Sequence, residues 1–242
     1  MDTIASLRSD AVGRPLHPAA RWLLRRSLPL QRVVLRRRVG RLVIERLDGV
    51  PLVILPEVFN PVVFRTTGPL VRSIPVPPPG APRPRALDMG TGSGAGAVFA
   101  ARAGYEVVAV DINEAAVRCV RINALLNGLH DHIEARHGDL FAPVEGQRFD
   151  LVLFNPPFFR GSPRNALDMA WRSVDVLERF ADGLAGVLGP GGRARVVLST
   201  DGACAALLAT LSAAGFDLEP VYRRDLGNEI VTVHDVRRGR GA

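Results

Sequence analysis

From Arg85 onward, short apolar runs alternate with stretches in which apolar residues recur every three or four positions. The runs read as strands over Arg85–Met89, Glu106–Val110, Ile133–Arg136, Phe149–Phe154 and Ala194–Ser199. The stretches between them read as helices over Ala95–Ala103, Glu114–Asn127, Ser173–Leu188 and Gly202–Ala214, the last ended by Gly215. Two further strands, near Leu218–Arg223 and Ile230–Val236, have no helix between them and predict an antiparallel hairpin. The alternation predicts an α/β fold: a doubly wound, mostly parallel, seven-stranded sheet with that hairpin at one end.

Upstream, the pattern changes. Pro75–Pro84 is too rich in proline for helix or sheet and predicts an extended linker. It divides the chain into an extension over 1–74, the linker over 75–84 and the α/β domain over 85–242. Within the extension, residues 1–14 read as frayed, and Pro18–Arg38 as one or two basic amphipathic helices interrupted at Pro29. Arg41–Leu47 and Pro51–Leu55 are strand-like runs on either side of Asp48-Gly49, a hairpin signal. Pro56–Pro61 reads as a loop, and Val62–Ile74 as a helix broken near Gly68-Pro69. The extension is thus a small α+β element.

Composition narrows the class. A chain of 242 residues, 47% apolar and 23% charged, buries one large core with at most a small appendage. No apolar run approaches the ~20 residues of a bilayer span, so stable membrane insertion is not expected. The opening Met-Asp-Thr shows no secretory pattern, and Cys119 and Cys204 fit neither metal nor redox spacing, so a cytoplasmic, metal-free protein is expected. The net charge is +7, carried by arginine without lysine. Arginines crowd residues 1–47, against only Asp2, Asp10 and Glu45. Such a segment either attracts a polyanion or forms a solvated face on accessory helices. His130, His132 and His137 read as loop and strand-edge residues, and Phe159 and Trp171 either line a substrate mouth or pack in the core.

The strongest local signal is Leu87-Asp88-Met89-Gly90-Thr91-Gly92-Ser93-Gly94, which follows a strand and opens a helix. Glycines permit a sharp turn and close approach of a ligand. Asp111, at the end of the next strand, can accept both ribose hydroxyls of an adenosine ligand, with Ile112 beside it. The Gly-x-Gly-x-Gly spacing differs from the Gly-x-Gly-x-x-Gly loop that serves a pyrophosphate. An acidic residue before it suits the ammonium of S-adenosylmethionine, which has no phosphate. The predicted cofactor set is therefore Asp88, Gly90, Thr91, Gly92, Gly94, Asp111 and Ile112. After the third strand, Asp139 is placed to accept from the adenine amino group, with the Leu140 amide near a ring nitrogen.

The fourth strand runs directly into Asn155-Pro156-Pro157-Phe158. Two prolines fix φ and remove backbone donors, so the turn is stiff and presents two acceptors, the Asn155 side-chain oxygen and the Pro156 carbonyl. Gripping both N–H bonds of a planar nitrogen aims its lone pair at an electrophilic methyl and stabilises the charge that develops. Phe158 can stack on the planar group and favour a cation. Asn155, Pro156 and Phe158 are the candidate catalytic residues, with Asn155 also counted toward the cofactor.

Together these motifs resemble the class I S-adenosylmethionine-dependent methyltransferases, with their Rossmann-like sheet. The Asn-Pro-Pro-Phe turn is similar to that of the release-factor glutamine methyltransferases and of ribosomal-RNA guanine-amine methyltransferases. Asp168-x-x-Trp171 and Pro56–Pro61 look most like the protein-glutamine branch, in which the upstream segment lies near the cofactor. That branch often has Asp-Thr or Asp-Ser where this chain has Val62-Val63. The resemblance implies N-methyl transfer to a protein glutamine, with a translation release factor as partner. A base amine of ribosomal or transfer RNA and a small-molecule amine stand as alternatives.

Overall fold

The computed structural model describes residues 39–80, 82–200, 204–227 and 229–239. The helices expected within Pro18–Arg38, and most of the arginine-rich segment, lie outside the described residues. Strands β1 (Val43–Leu47) and β2 (Val50–Ile54) pair antiparallel across Asp48-Gly49. Both turn residues have positive φ, +45° and +83°, as a tight hairpin needs to match strand twist.

Helix α1 covers only Thr67–Arg72, shorter than the expected Val62–Ile74. Buried Asn60 takes the amides of Val62 (3.0 Å) and Val63 (3.1 Å) on its side-chain oxygen, holding a turn. The β-branched pair Val62-Val63 also resists helix formation. Gly68 and Pro69 do not break the helix, because they fall in its first turn, where amides have no intrahelical partner.

The main sheet has seven strands: β3 (Arg85–Met89), β4 (Glu106–Asp111), β5 (Ile133–His137), β6 (Phe149–Phe154), β9 (Leu188–Ser199), β10 (Phe216–Asp225) and β11 (Ile230–Arg238), in the order β10-β11-β9-β6-β3-β4-β5. All neighbours pair parallel except β11, which runs antiparallel to both β9 and β10. The expected doubly wound fold and terminal hairpin are both present. Strand β9 starts earlier than predicted, because Leu188 pairs with Phe149 before a register shift through a glycine-rich run. A Cβ on Gly192 would stand 2.7 Å from the Phe149 carbonyl, so only glycine lets these backbones approach.

Helices α2 (Ala95–Ala103) and α3 (Glu114–Leu126) share one buried cluster with α1 and the hairpin. Helices α4 (Val176–Val187) and α5 (Cys204–Ala213) cover the other face. Helix α4 begins later than expected, because Ser173 belongs to β8 (Arg172–Ser173), which pairs with β7 (Phe159–Arg160). The proline-rich stretch has neither helix nor strand among its described residues, and the pieces it joins share one core. Asn123 of α3 links them: its Oδ1 accepts from the Val53 amide at 2.7 Å, and its Nδ2 donates to the carbonyls of Val53 and Ser93, both at 2.8 Å. No helix among the described residues is long and apolar enough to cross a membrane.

Candidate functional site

The sheet order reverses direction between β3 and β6, where a doubly wound sheet opens a crevice at its strand ends. Met89 pairs with Phe154 at those ends, so the glycine turn and the Asn-Pro-Pro-Phe turn leave the sheet side by side.

The glycine turn is satisfied from within. Gly90, Gly92 and Gly94 all have left-handed φ, at +62°, +55° and +81°. A Cβ on Gly94 would lie 3.1 Å from the Val120 backbone, so this glycine lets α2 approach α3. Asp88 is buried, and its Oδ2 accepts from the Thr91 hydroxyl (2.6 Å) and the Ala97 amide (2.8 Å). Burial pushes its pKa up to about 7, against the pull of those two hydrogen bonds. Asp111 accepts from the Gly92 amide at 2.8 Å and from the Asn113 amide at 2.9 Å. Burial raises its pKa too. Asn113 caps α3 through the Ala115 amide and donates to the Glu57 carbonyl, at 2.9 Å each, drawing the upstream segment over the crevice. Ile112 is half exposed, and its carbonyl meets His137 Nε2 at 2.9 Å.

Leu140 holds a left-handed φ of +45°. Asp139 faces the crevice and also accepts from Arg179 Nη2 at 2.6 Å, a partner the sequence did not suggest.

The other turn is not self-satisfied. Asn155 Nδ2 donates to the Thr67 hydroxyl at 3.4 Å, while its Oδ1 is buried with no hydrogen-bond partner. The cause lies in the sequence. An asparagine oxygen ordinarily folds back onto the amide two residues on, but here that residue is Pro157, which has none.

Asp88, Gly90, Thr91, Gly92, Asp111, Ile112, Asp139, Leu140, Asn155, Pro156 and Phe158 all line one open cleft. Gly94 lies behind the lining, against α3. Phe59 of the Pro56–Pro61 stretch and Met169 and Ala170 of Asp168-x-x-Trp171 also line it, as does Thr67, which the sequence reading did not single out. Phe159 and Trp171 do not line it. Phe159 is 42% exposed, whereas Trp171 packs on Phe64 at 4.1 Å and Phe59 at 5.1 Å. That aromatic cluster joins the segment before the fold to the segment after the Asn-Pro-Pro-Phe turn. The arrangement offers a pocket of carboxylates and backbone turns beside one vacant amide acceptor.

The sequence profile of the methyltransferase small domain matches residues 62–214. A release factor glutamine methyltransferase of Moorella thermoacetica is 34% identical over 107 residues, which cover 39% of this chain and 38% of that protein. A ribosomal RNA small subunit methyltransferase C of Alcanivorax borkumensis is 36% identical over 96 residues, covering 40% of this chain and 26% of that one. The chain thus spans well under half the length of these curated relatives. A T. thermophilus 16S rRNA N2 methyltransferase, solved with AdoMet and guanosine, superposes with a TM-score of 0.63 at 26% identity, over 82% of this chain and 50% of that one. An E. cuniculi complex responsible for methylation of a translation termination factor superposes with a TM-score of 0.55 at 19% identity, over 76% of this chain and 99% of that one.

Proposed function

The chain belongs to the methyltransferase small domain family, and from that premise we propose that it methylates a planar amide or amino nitrogen with S-adenosylmethionine, the acceptor being a protein glutamine side chain. One observation carries the reading: the buried, unpartnered Oδ1 of Asn155 beside the glycine turn. An unpaired buried acceptor costs about 1–3 kcal/mol, which an incoming N–H recovers.

The residues fit the cofactor. Left-handed glycines leave room for a ligand against the backbone, and two carboxylates stand at the ends of β3 and β4. Asp88 would balance the ammonium, and Asp111 would take the ribose hydroxyls on lone pairs its two amides leave free. Ile112 and Leu140 would flank the adenine, and Asp139 would accept its amino group. When bound, S-adenosylmethionine supplies a methyl on positively charged sulfur. Asn155 Oδ1 and the Pro156 carbonyl accept the two N–H bonds of the acceptor nitrogen and turn its lone pair out of conjugation. They also stabilise the positive charge it gains, and Phe158 adds its ring face. The proton then leaves to solvent, so no general base is required.

The glutamine assignment draws on the two segments that resemble the protein-glutamine branch, which meet where Trp171 packs on Phe59. A base amine in RNA is the second reading, favoured by the likeness to the T. thermophilus enzyme. Residues 1–47 would add salt-dependent attraction to either acceptor through their arginines.

Tritiated S-adenosylmethionine, offered with release factors and ribosomes, separates the readings. Acid hydrolysis of glutamine-labelled protein is expected to release labelled methylamine. Label confined to nucleosides would move the acceptor to RNA, and label on oxygen or carbon would overturn the reading altogether.

A further inference from the structure

A catalytic asparagine has an ambiguity that a carboxylate does not. Its amide has one end that accepts and one that donates, and rotation by half a turn exchanges them. For a planar nitrogen bearing two N–H bonds, only the oxygen end is productive. The NH₂ end would meet the acceptor donor to donor. Something in the fold must therefore set the direction of the Asn155 amide.

The flanking chain does not do this, and no local amide reaches Oδ1. Pro156 and Pro157 offer no N–H to fix the oxygen locally. The amide makes one hydrogen bond, from Nδ2 to Thr67 Oγ1 at 3.4 Å, and this contact spans 88 residues of sequence. Thr67 is 6% exposed, opens α1, and lines the same cleft as Asn155. Because the amide is planar, holding its nitrogen on the threonine leaves Oδ1 on the other branch, where it is buried and unpartnered.

We propose that Thr67 is a positioning residue: its hydroxyl oxygen holds the Asn155 NH₂ and thereby directs Oδ1 to the acceptor nitrogen. This rests on the N-methylation reading above and adds to it. Orientation of the reacting group comes from the segment before the α/β fold, through a residue that touches no reacting atom.

The hydroxyl is the only part of Thr67 the role needs. Thr67→Ser keeps an acceptor, while Thr67→Val keeps shape and removes it. The first measurement needs no substrate. In protein labelled with ¹⁵N-asparagine, the side-chain NH₂ pair of Asn155 is identified as the one missing from Asn155→Ala. Thr67→Ser should retain its shift and slowed hydrogen exchange, and Thr67→Val should lose both. The second is methyl transfer to whichever acceptor the tritium experiment labels. Thr67→Val should lower kcat about tenfold, the size of one orienting hydrogen bond, with Kd for S-adenosylmethionine unchanged within about twofold. Thr67→Ser should recover kcat to within about threefold.

A purely structural role would act equally in any background. The same substitution placed in Asn155→Ala should change kcat by less than about twofold if the two residues act as a unit. Should Thr67→Val not fold, Thr67→Ala carries the same expectations. An Asn155 NH₂ signal unaltered by loss of the hydroxyl, or a full tenfold fall in the Asn155→Ala background, overturns the proposal. If instead Asn155→Ala itself turns over at the normal rate, the methylation mechanism fails, whatever the threonine does.

Discussion

The two turns at the end of the sheet are built on opposite plans. At the glycine turn, the carboxylates are partnered by the turn and its flanks: Asp88 serves Thr91 and Ala97, Asp111 serves Gly92 and Asn113, and Asn123 donates to the Ser93 carbonyl. At the Asn-Pro-Pro-Phe turn, the prolines remove local partners, and Asn155 is left with one distant threonine and one empty acceptor. The first half has its polar groups met within the fold. The second stores an unmet hydrogen bond, which suits a group meant to act on a substrate. On the proposed reading, stability belongs to one turn and turnover to the other.

The sharpest way to break this contrast is Asn155→Ala. It should lower kcat by about 10²–10³ while leaving cofactor affinity within about threefold, by filter assay and equilibrium dialysis. Because it deletes an unpartnered acceptor along with one long hydrogen bond to Thr67, the two effects offset and the urea midpoint should change little, and a large loss of stability would refute the contrast. Gly96→Ala is the opposite test. Its Cβ would come within 2.5 Å of Asp88 Oδ1, so unfolding should show a loss of about 1–3 kcal/mol together with weaker cofactor binding.

Asp111→Ala should raise the cofactor Kd about 10- to 100-fold, since it removes a charged acceptor from two amides and the ribose, with kcat at saturation little changed. A pH series sharpens the picture further. Asp88 has a folded pKa near 7 against an ordinary 3.8, raised first by burial. Its protonated form is the one the fold favours. Its contribution to stability is thus full below the unfolded value and is lost as pH rises through about 7. Binding an ammonium needs the charged form. Cofactor affinity should climb by up to about tenfold per pH unit toward 7 and then level, and Asp88→Asn should abolish the slope. The smallest effect is expected from Arg179→Ala. Its ion pair with Asp139 is nearly half exposed, so thermal unfolding should shift by under about 1 kcal/mol.

The same contrast explains what was legible in the sequence. The strand–helix alternation, the glycine turn, Asp111 and the Asn-Pro-Pro-Phe turn all follow from short-range spacing, and the fold brings both turns and Asp111 to one cleft. Thr67 was hidden because its partner is remote in sequence and its neighbours read as plain helix. The start of β9 was hidden because Gly189, Pro190, Gly191 and Gly192 carry no apolar side chains to mark a strand, although Leu188 already pairs with Phe149. The shortening of α1 came from Asn60, whose side chain competes for amides that a periodicity reading assigns to a helix. Arg179 was hidden because one exposed arginine among many carries no signal until its neighbour is known.

Asn123 has a consequence for any attempt to trim the chain. A protein begun at Arg85 would lack both Val53 contacts, uncovering the Asn123 amide and leaving it only the Ser93 carbonyl among its backbone partners. The hairpin therefore works as a splint. Though remote from any reacting atom, it steadies the floor on which a nucleoside would rest, and its loss should register first as a looser grip on ligand.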